Sequence, residues 1–262
     1  MFSFERFFNV INTNQSLIWA GIATTLLLSF VGTFVGLLLG IPLAYGKLLK
    51  TKTYDNKLVR FFKGLIKGFC NVYSTVLRGT PMMVQALIFK FGCAALGLNW
   101  GNILFPAQVR DVFNGWFFAG LIVITFNTAA YMGEVVISGL NGVDKGQYEG
   151  AKSLGLSDYK ISFNIVLPQA LKNSLPTIGN ELIVNIKDSS VLNVIAVSEL
   201  FYRLQDIAVG SYAVVETYVL LAIIYLIMTA LVSVGLKLIE RLLDGEKISL
   251  NPFGRIRRNF HA

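Results

Sequence analysis

Apolar residues run along this chain in blocks long enough to predict membrane-spanning helices. Leu17 to Gly46 is thirty residues without a charge. As a helix it would extend about 45 Å, more than the ~30 Å hydrocarbon layer of a bilayer requires. Thr217 to Leu236 is a further twenty residues without a charge. We read five spanning segments, at 17–46, 69–92, 116–140, 174–199 and 212–238. The third and fourth are interrupted by Glu134, Glu181, Lys187 and Asp188. The expected fold class is therefore all-α, a polytopic transmembrane helix bundle. In the first span Gly32, Gly36, Gly40 and Ala44 recur every four residues, so small side chains share one face and predict close approach of another helix. Residues 1–16 read in two ways. "FSFERFFNVINTN" is either an interfacial helix with its Phe residues in the headgroups or a frayed lead-in. A cleaved signal is not expected, because Glu5 and Arg6 precede an apolar run too long for a signal core.

One stretch breaks the pattern. Gln147 to Ala170, "QYEGAKSLGLSDYKISFNIVLPQA", is structured in its spacing but carries Glu149, Lys152, Asp158 and Lys160. Asp144 can cap a helix, with Gln147 at the capping-box position. That helix would run through Glu149, Ala151 and Leu154 and end at Gly155 in a left-handed cap. Ser157 can start a second short helix over Tyr159 to Val166, with Pro168 one turn later. Tyr148, Ala151, Leu154 and Leu156 would cluster on one side of the bend. By the residues alone, this is either a helix lying on the headgroups or a knob that docks into a partner.

Composition and charge agree with a membrane location. The 262 residues are 54% hydrophobic and 15% charged, against about 25% charged in soluble domains. The net charge of +8 does not point to nucleic acid, because Lys and Arg flank the apolar blocks. Seven lie in 47–67, four in 141–172 and six from Lys237 onward, against Arg6, Lys90, Arg110 and Arg203 on the other side. Seventeen against four predicts an outside N-terminus and a cytoplasmic C-terminus, with Gln147–Ala170 on the cytoplasmic side. The basic tail, 244–262, would meet anionic headgroups. The single histidine, His261, and two cysteines, Cys70 and Cys93, offer no metal spacing and no His-based catalysis. "GIPLAYGKL" fails as a phosphate loop, since its spacing is one residue off and no Ser or Thr follows the Lys.

The polar stretch fits Glu149-x-Ala151, three residues, Gly155, nine residues, Ile165-x-Leu167-Pro168. This resembles the Glu-Ala-Ala signature loop of the membrane subunits of ABC importers. Gly150 departs from it, standing where the family usually has Ala. "YSTVLRGTPMMVQ", "NTAAYMGEVVISGLNGVDKGQYEGAKSLGLS", "LPQALKNSLPTIGNELIVNIKDSSV" and "VIAVSEL" are similar to the polar amino acid branch of these permeases. The resemblance implies the type I importer transmembrane-domain fold over 17–243, with coupling loop 144–168. It also implies a bacterial cytoplasmic-membrane location and a second permease copy or a paralogous permease. Its other implied partners are two ATPase subunits that hold ATP and Mg, and an external solute-binding protein. On this resemblance Glu149, Gly150, Ala151, Leu154, Gly155 and Leu156 form the coupling element, and the chain itself is a transport subunit without catalytic residues.

Polar residues inside the spans follow helical spacing. Asn71, Ser74, Arg78 and Gln85 mark the second span, a stripe broken by "RGTP", where Pro81 must disturb the hydrogen-bond ladder and Gly79 loosens it. Asn127, Tyr131, Glu134 and Ser138 mark the third span, and Thr177, Asn180, Glu181, Asn185 and Asp188 the fourth. Such residues are costly in lipid and tend to face protein or water. Arg78, Gln85, Asn127, Tyr131, Glu134 and Glu181 are the candidate substrate path. Arg78 suits a carboxylate, and Glu134 or Glu181 a cationic group. The alternative reading is mutual ion pairing that locks helices together. A stand-alone secondary transporter or channel would use the same residues, but five spans without a clear internal repeat speak against it. A membrane enzyme lacks any nucleophile–base constellation.

Overall fold

The computed structural model describes residues 2–52, 55–103, 106, 110 and 112–243. The basic tail from 244 onward and its predicted lipid contact lie outside the described residues. The described residues are helical and contain no strand. In chain order the helices are α1 Phe4–Thr13, α2 Gln15–Leu48, α3 Lys57–Gly79, α4 Met82–Ala95, α5 Gly115–Asn141, α6 Lys145–Ser153, α7 Asp158–Ile161, α8 Leu167–Asp188, α9 Leu200–Ser211 and α10 Val214–Leu243. Helices α2, α5 and α10 are long and apolar enough to cross a membrane.

Expected and observed elements differ where polar or cyclic residues intervene. The second span is broken at "RGTP", as expected, and the break is complete: it divides the span into two helices. Gly79 ends α3, Thr80 is extended at φ −120° and ψ 145°, and Pro81 precedes α4. Proline forces its predecessor out of the helical region, which fixes the break. Helix α3 also begins at Lys57, inside the segment expected to be a loop. Its N-terminus is capped by the Asn56 side chain, which accepts from the Val59 amide at 2.8 Å. The fourth span starts earlier than expected and ends at Asp188. A 3₁₀ segment, Ser189–Ile195, follows and closes on Ala196 at φ +67°.

The centre of the bundle is the α2–α5 contact. The predicted small-residue face meets Ile124, Thr128, Met132 and Gly133. A Cβ at Gly40 would lie 2.7 Å from Met132 Cβ and 2.9 Å from the Gly133 amide nitrogen. Only hydrogen fits there, so the stripe sets how near the two backbones come. One apolar core joins α1, α2, α8, α9 and α10 through Val10, Ile18, Ile186, Leu204 and Met228. A second joins α2, α4, α5 and the 3₁₀ segment through Leu28, Ala86, Ile124 and Leu192. Helix α1 is not frayed: the Ser3 amide donates to Glu216 of α10 at 2.8 Å, and Val10 is buried.

Two buried polar residues, Asn185 and Glu199, are hubs of hydrogen-bond networks, as a low-dielectric interior favours. Asn185 of α8 donates to Thr33 of α2 at 2.8 Å and to Thr128 of α5 at 3.0 Å. Glu199, fully buried, caps α9 by accepting from the Tyr202 amide at 2.8 Å. Its other oxygen accepts from Thr25 at 3.2 Å and from Tyr225 at 2.9 Å. Asn185 belongs to the polar stripe read in the fourth span, but the Glu199 hub is not announced by local sequence, because Thr25 and Glu199 are 174 residues apart.

Candidate translocation path and coupling loop

The break between α3 and α4 frees carbonyls that a continuous helix would satisfy. In a membrane such groups must find partners within the protein. Gln85 supplies them: its Nε2 donates to the carbonyls of Leu77 at 2.8 Å and Thr80 at 2.9 Å. Asn127 of α5 donates to Gln85 Oε1 at 3.0 Å and to the Leu77 carbonyl at 3.3 Å. Two expected path residues therefore fasten the broken span to α5.

About two helical turns further along α5 lies an ion cluster centred on Glu134. Arg78 approaches Glu134 at 3.1 Å, with its guanidinium 5.5 Å from the centre of the Tyr131 ring. Lys47, in the last turn of α2, binds the same Glu134 oxygen. The side chains of Arg78 and Glu134 are 43% and 34% exposed, so the cluster is half open, whereas Lys47 is 14% exposed. Arg78 and Glu134 thus form the mutual ion pair of the alternative reading, in a cluster of two cations and one carboxylate. Sequence reasoning missed Lys47, because a lysine ending a charge-free run looks like the first residue of a loop. Three expected path residues, Arg78, Tyr131 and Glu134, meet in this cluster, and two more, Gln85 and Asn127, meet each other at the α3–α4 break. The sixth, Glu181, lies on α8, and no ion pair or hydrogen bond joins it to the cluster among the described residues.

The polar stretch is built as predicted up to its bend. The Asp144 side chain caps α6 by accepting from the Gly146 amide at 2.6 Å. The reciprocal half of the capping box is not made: Gln147 instead accepts from Gln169 at 3.4 Å, tying α6 to α8. Helix α6 ends in a Schellman motif, with the Leu156 amide bonded to the Ala151 carbonyl and the Gly155 amide to Lys152. Gly155 has φ +79°, a conformation that suits glycine because it lacks a Cβ. Ser157 caps α7.

Beyond α7 the expectation of a second short helix is corrected. Residues Ser162–Val166 form a π turn that leads without interruption into α8, and the Leu167 amide bonds to the Ser162 carbonyl. Pro168 lacks an amide hydrogen and its ring would crowd the carbonyl four residues back. Widening the preceding turn makes room for it. The bend is therefore continuous with a long helix.

The side chains of the bend do not all share one side. Ala151 is buried at 6% exposure, whereas Leu154 stands out at 83%. Glu149, Gly150 and Gly155 are exposed, Leu156 is half-buried, and a Cβ at Gly150 would meet nothing within 4 Å. Hydrogen bonds from Lys152, Tyr148 and Lys52 hold the Asp158 carboxyl well below the usual carboxylate range. The same contact raises Lys152 and the Tyr148 phenol. No group of His, Cys, Asp and Glu suited to a metal occurs among the described residues.

Comparison with known proteins fits this arrangement. The family described as binding-protein-dependent transport system inner membrane component matches residues 36–245. The putative glutamine transport system permease protein GlnP of Rickettsia conorii is 32% identical over 84% of this chain and 90% of its own. The arginine transport system permease protein ArtQ of Bacillus subtilis is also 32% identical, over 84% of this chain and 90% of its own. A crystal structure of an amino acid ABC transporter with histidines superposes with a TM-score of 0.71 and 32% identity, covering 88% of this chain and 96% of that one. An inward-facing MetNI methionine ABC transporter shares the fold at TM-score 0.66 and 18% identity, over 87% of this chain and 97% of that one. The chain belongs to the family of binding-protein-dependent transport system inner membrane components, as a permease of the polar amino acid ABC importers.

Proposed function

We propose that this permease pairs with a second copy or a paralogue in the bacterial cytoplasmic membrane and forms the path for a polar or charged amino acid. An external solute-binding protein delivers the substrate, and a cytoplasmic ATPase dimer that holds ATP and Mg drives the cycle. Arg78, Gln85, Asn127, Tyr131, Glu134 and Glu181 line the path. Glu149, Gly150, Ala151, Leu154, Gly155 and Leu156 couple it to the ATPase. Relatives named for glutamine, arginine and nopaline transport favour a polar amino acid substrate.

The observation that carries this reading is the bend itself. An exposed Leu154 sits on a helix end locked by a left-handed glycine, beside a helix that continues through the π turn into α8. A push on the bend is delivered to a helix that bears Glu181 and Asn185. Replacing Glu149 by Ala and Gly155 by Val is expected to abolish ATP-driven uptake in vesicles while the chain stays inserted. Uptake at the normal rate without a co-purifying ATPase would overturn the proposal and favour a stand-alone transporter.

A further inference from the structure

We propose that Asp158 is a positioning residue that sets the angle of the coupling bend and ties the bend to the segment leaving α2. The inference rests on the coupling reading of the loop. Gly155 and its Schellman bonds turn the chain, but among the described residues no backbone hydrogen bond joins α6 to α7 beyond Leu156, so side chains contribute to the angle between them. Asp158 lies at the start of α7 and supplies both of its oxygens. Oδ1 accepts from Tyr148 Oη at 2.8 Å and from Lys152 Nζ. Tyr148 and Lys152 stand one helical turn apart on α6, so one oxygen holds that helix at two levels. Oδ2 pairs with Lys52 at 3.3 Å, in the segment that follows α2.

A second tie runs alongside the first. The Tyr45 ring, near the end of α2, stacks on Phe163 of the π turn with centroids 5.2 Å apart. Its hydroxyl donates to the Ser162 carbonyl at 3.4 Å, and Phe163 also meets Tyr159 at 4.7 Å. Asp158 thus closes a frame of α6, α7 and the end of α2. A displacement of Leu154 moves this frame as one piece and is not absorbed at Gly155. The Asp158 side chain is 46% exposed, and exposed ion pairs add little to stability. The carboxylate therefore matters for geometry more than for folding.

The test uses the complete transporter in liposomes, with its co-purifying ATPase and its binding protein. Asp158→Asn is expected to lower amino acid taken up per ATP hydrolysed by roughly twofold to thirtyfold. Thermal stability and ATPase co-purification stay at the wild-type level. Asp158→Glu, which keeps the charge, restores most of the ratio, and Tyr148→Phe with Lys152→Met reproduces the Asn defect. Wild-type coupling in Asp158→Asn overturns the inference alone. So does a loss of stability equal in the Asn and Glu variants, which marks a folding role. A wild-type chain that takes up amino acid without any ATPase overturns the coupling reading and this inference with it.

Discussion

Glu134 binds two cations from different parts of the chain, Lys47 on α2 and Arg78 on α3. The two substitutions that break this cluster are not equivalent. Arg78→Met leaves the Lys47–Glu134 pair standing, and its partly exposed site limits the stability cost to less than about 1 kcal/mol. Glu134→Gln leaves two cations facing each other without a carboxylate, which costs on the order of 1–3 kcal/mol. If the cluster lines the path, both variants lose uptake while only Glu134→Gln lowers the melting temperature in detergent. Uptake that falls only in proportion to stability would reduce the cluster to a fastening between helices. Helical spacing made Arg78, Tyr131 and Glu134 visible in sequence, because a polar stripe on an apolar helix stands out. Lys47 was hidden for the opposite reason: nothing local distinguishes a lysine that turns inward from one that begins a loop.

At the scale of elements, the α2–α5 contact is decided by one face of α2. Gly40 has no room for a methyl group against Met132 and Gly133, while Gly64 of α3 has nothing within 4 Å of its Cβ position. Gly40→Ala is therefore expected to destabilise by about 1–3 kcal/mol. Gly64→Ala should be neutral, or should stabilise by up to about 1 kcal/mol. Thermal unfolding of the two variants in the same detergent checks the contrast, and equal melting temperatures would rule out the stripe as the determinant of packing. This face was legible because four small residues at constant spacing have few other uses in a spanning helix. The bend at Gly155 was legible from its cap signals. The π turn was not, since Pro168 normally reads as a stop and only the widened turn before it lets the helix pass. The start of α3 was obscured by Lys57, Arg60, Lys63 and Lys67. Their charge reads as a loop, although their three- and four-residue spacing is also that of a helix face.

For the whole molecule, the uneven placement of Lys and Arg leads us to propose that the bend at Gly155 faces the cytoplasm. A single cysteine at Leu154, with Cys70 and Cys93 replaced by Ser, is expected to react with a membrane-impermeant maleimide in inside-out vesicles only. Labelling from the outer face of intact cells would reverse the orientation. The apolar outline of the bundle was readable along the chain, but Glu199 as a hub and the partners of Asn185 were not. Their partners come from helices far apart in sequence, and a lone polar residue does not say which distant hydroxyl will meet it. The glycine face of α2 has a last consequence, which concerns time. Gly36 is synthesised about ninety residues before Thr128, the side chain that fills its groove. At ~5–20 residues per second of synthesis, α2 spends on the order of ten seconds in the bilayer before α5 exists. During that interval its narrowest face is open to lipid or to a chaperoning helix, so quality-control proteolysis of the nascent permease is expected to fall mainly between the emergence of α2 and that of α5.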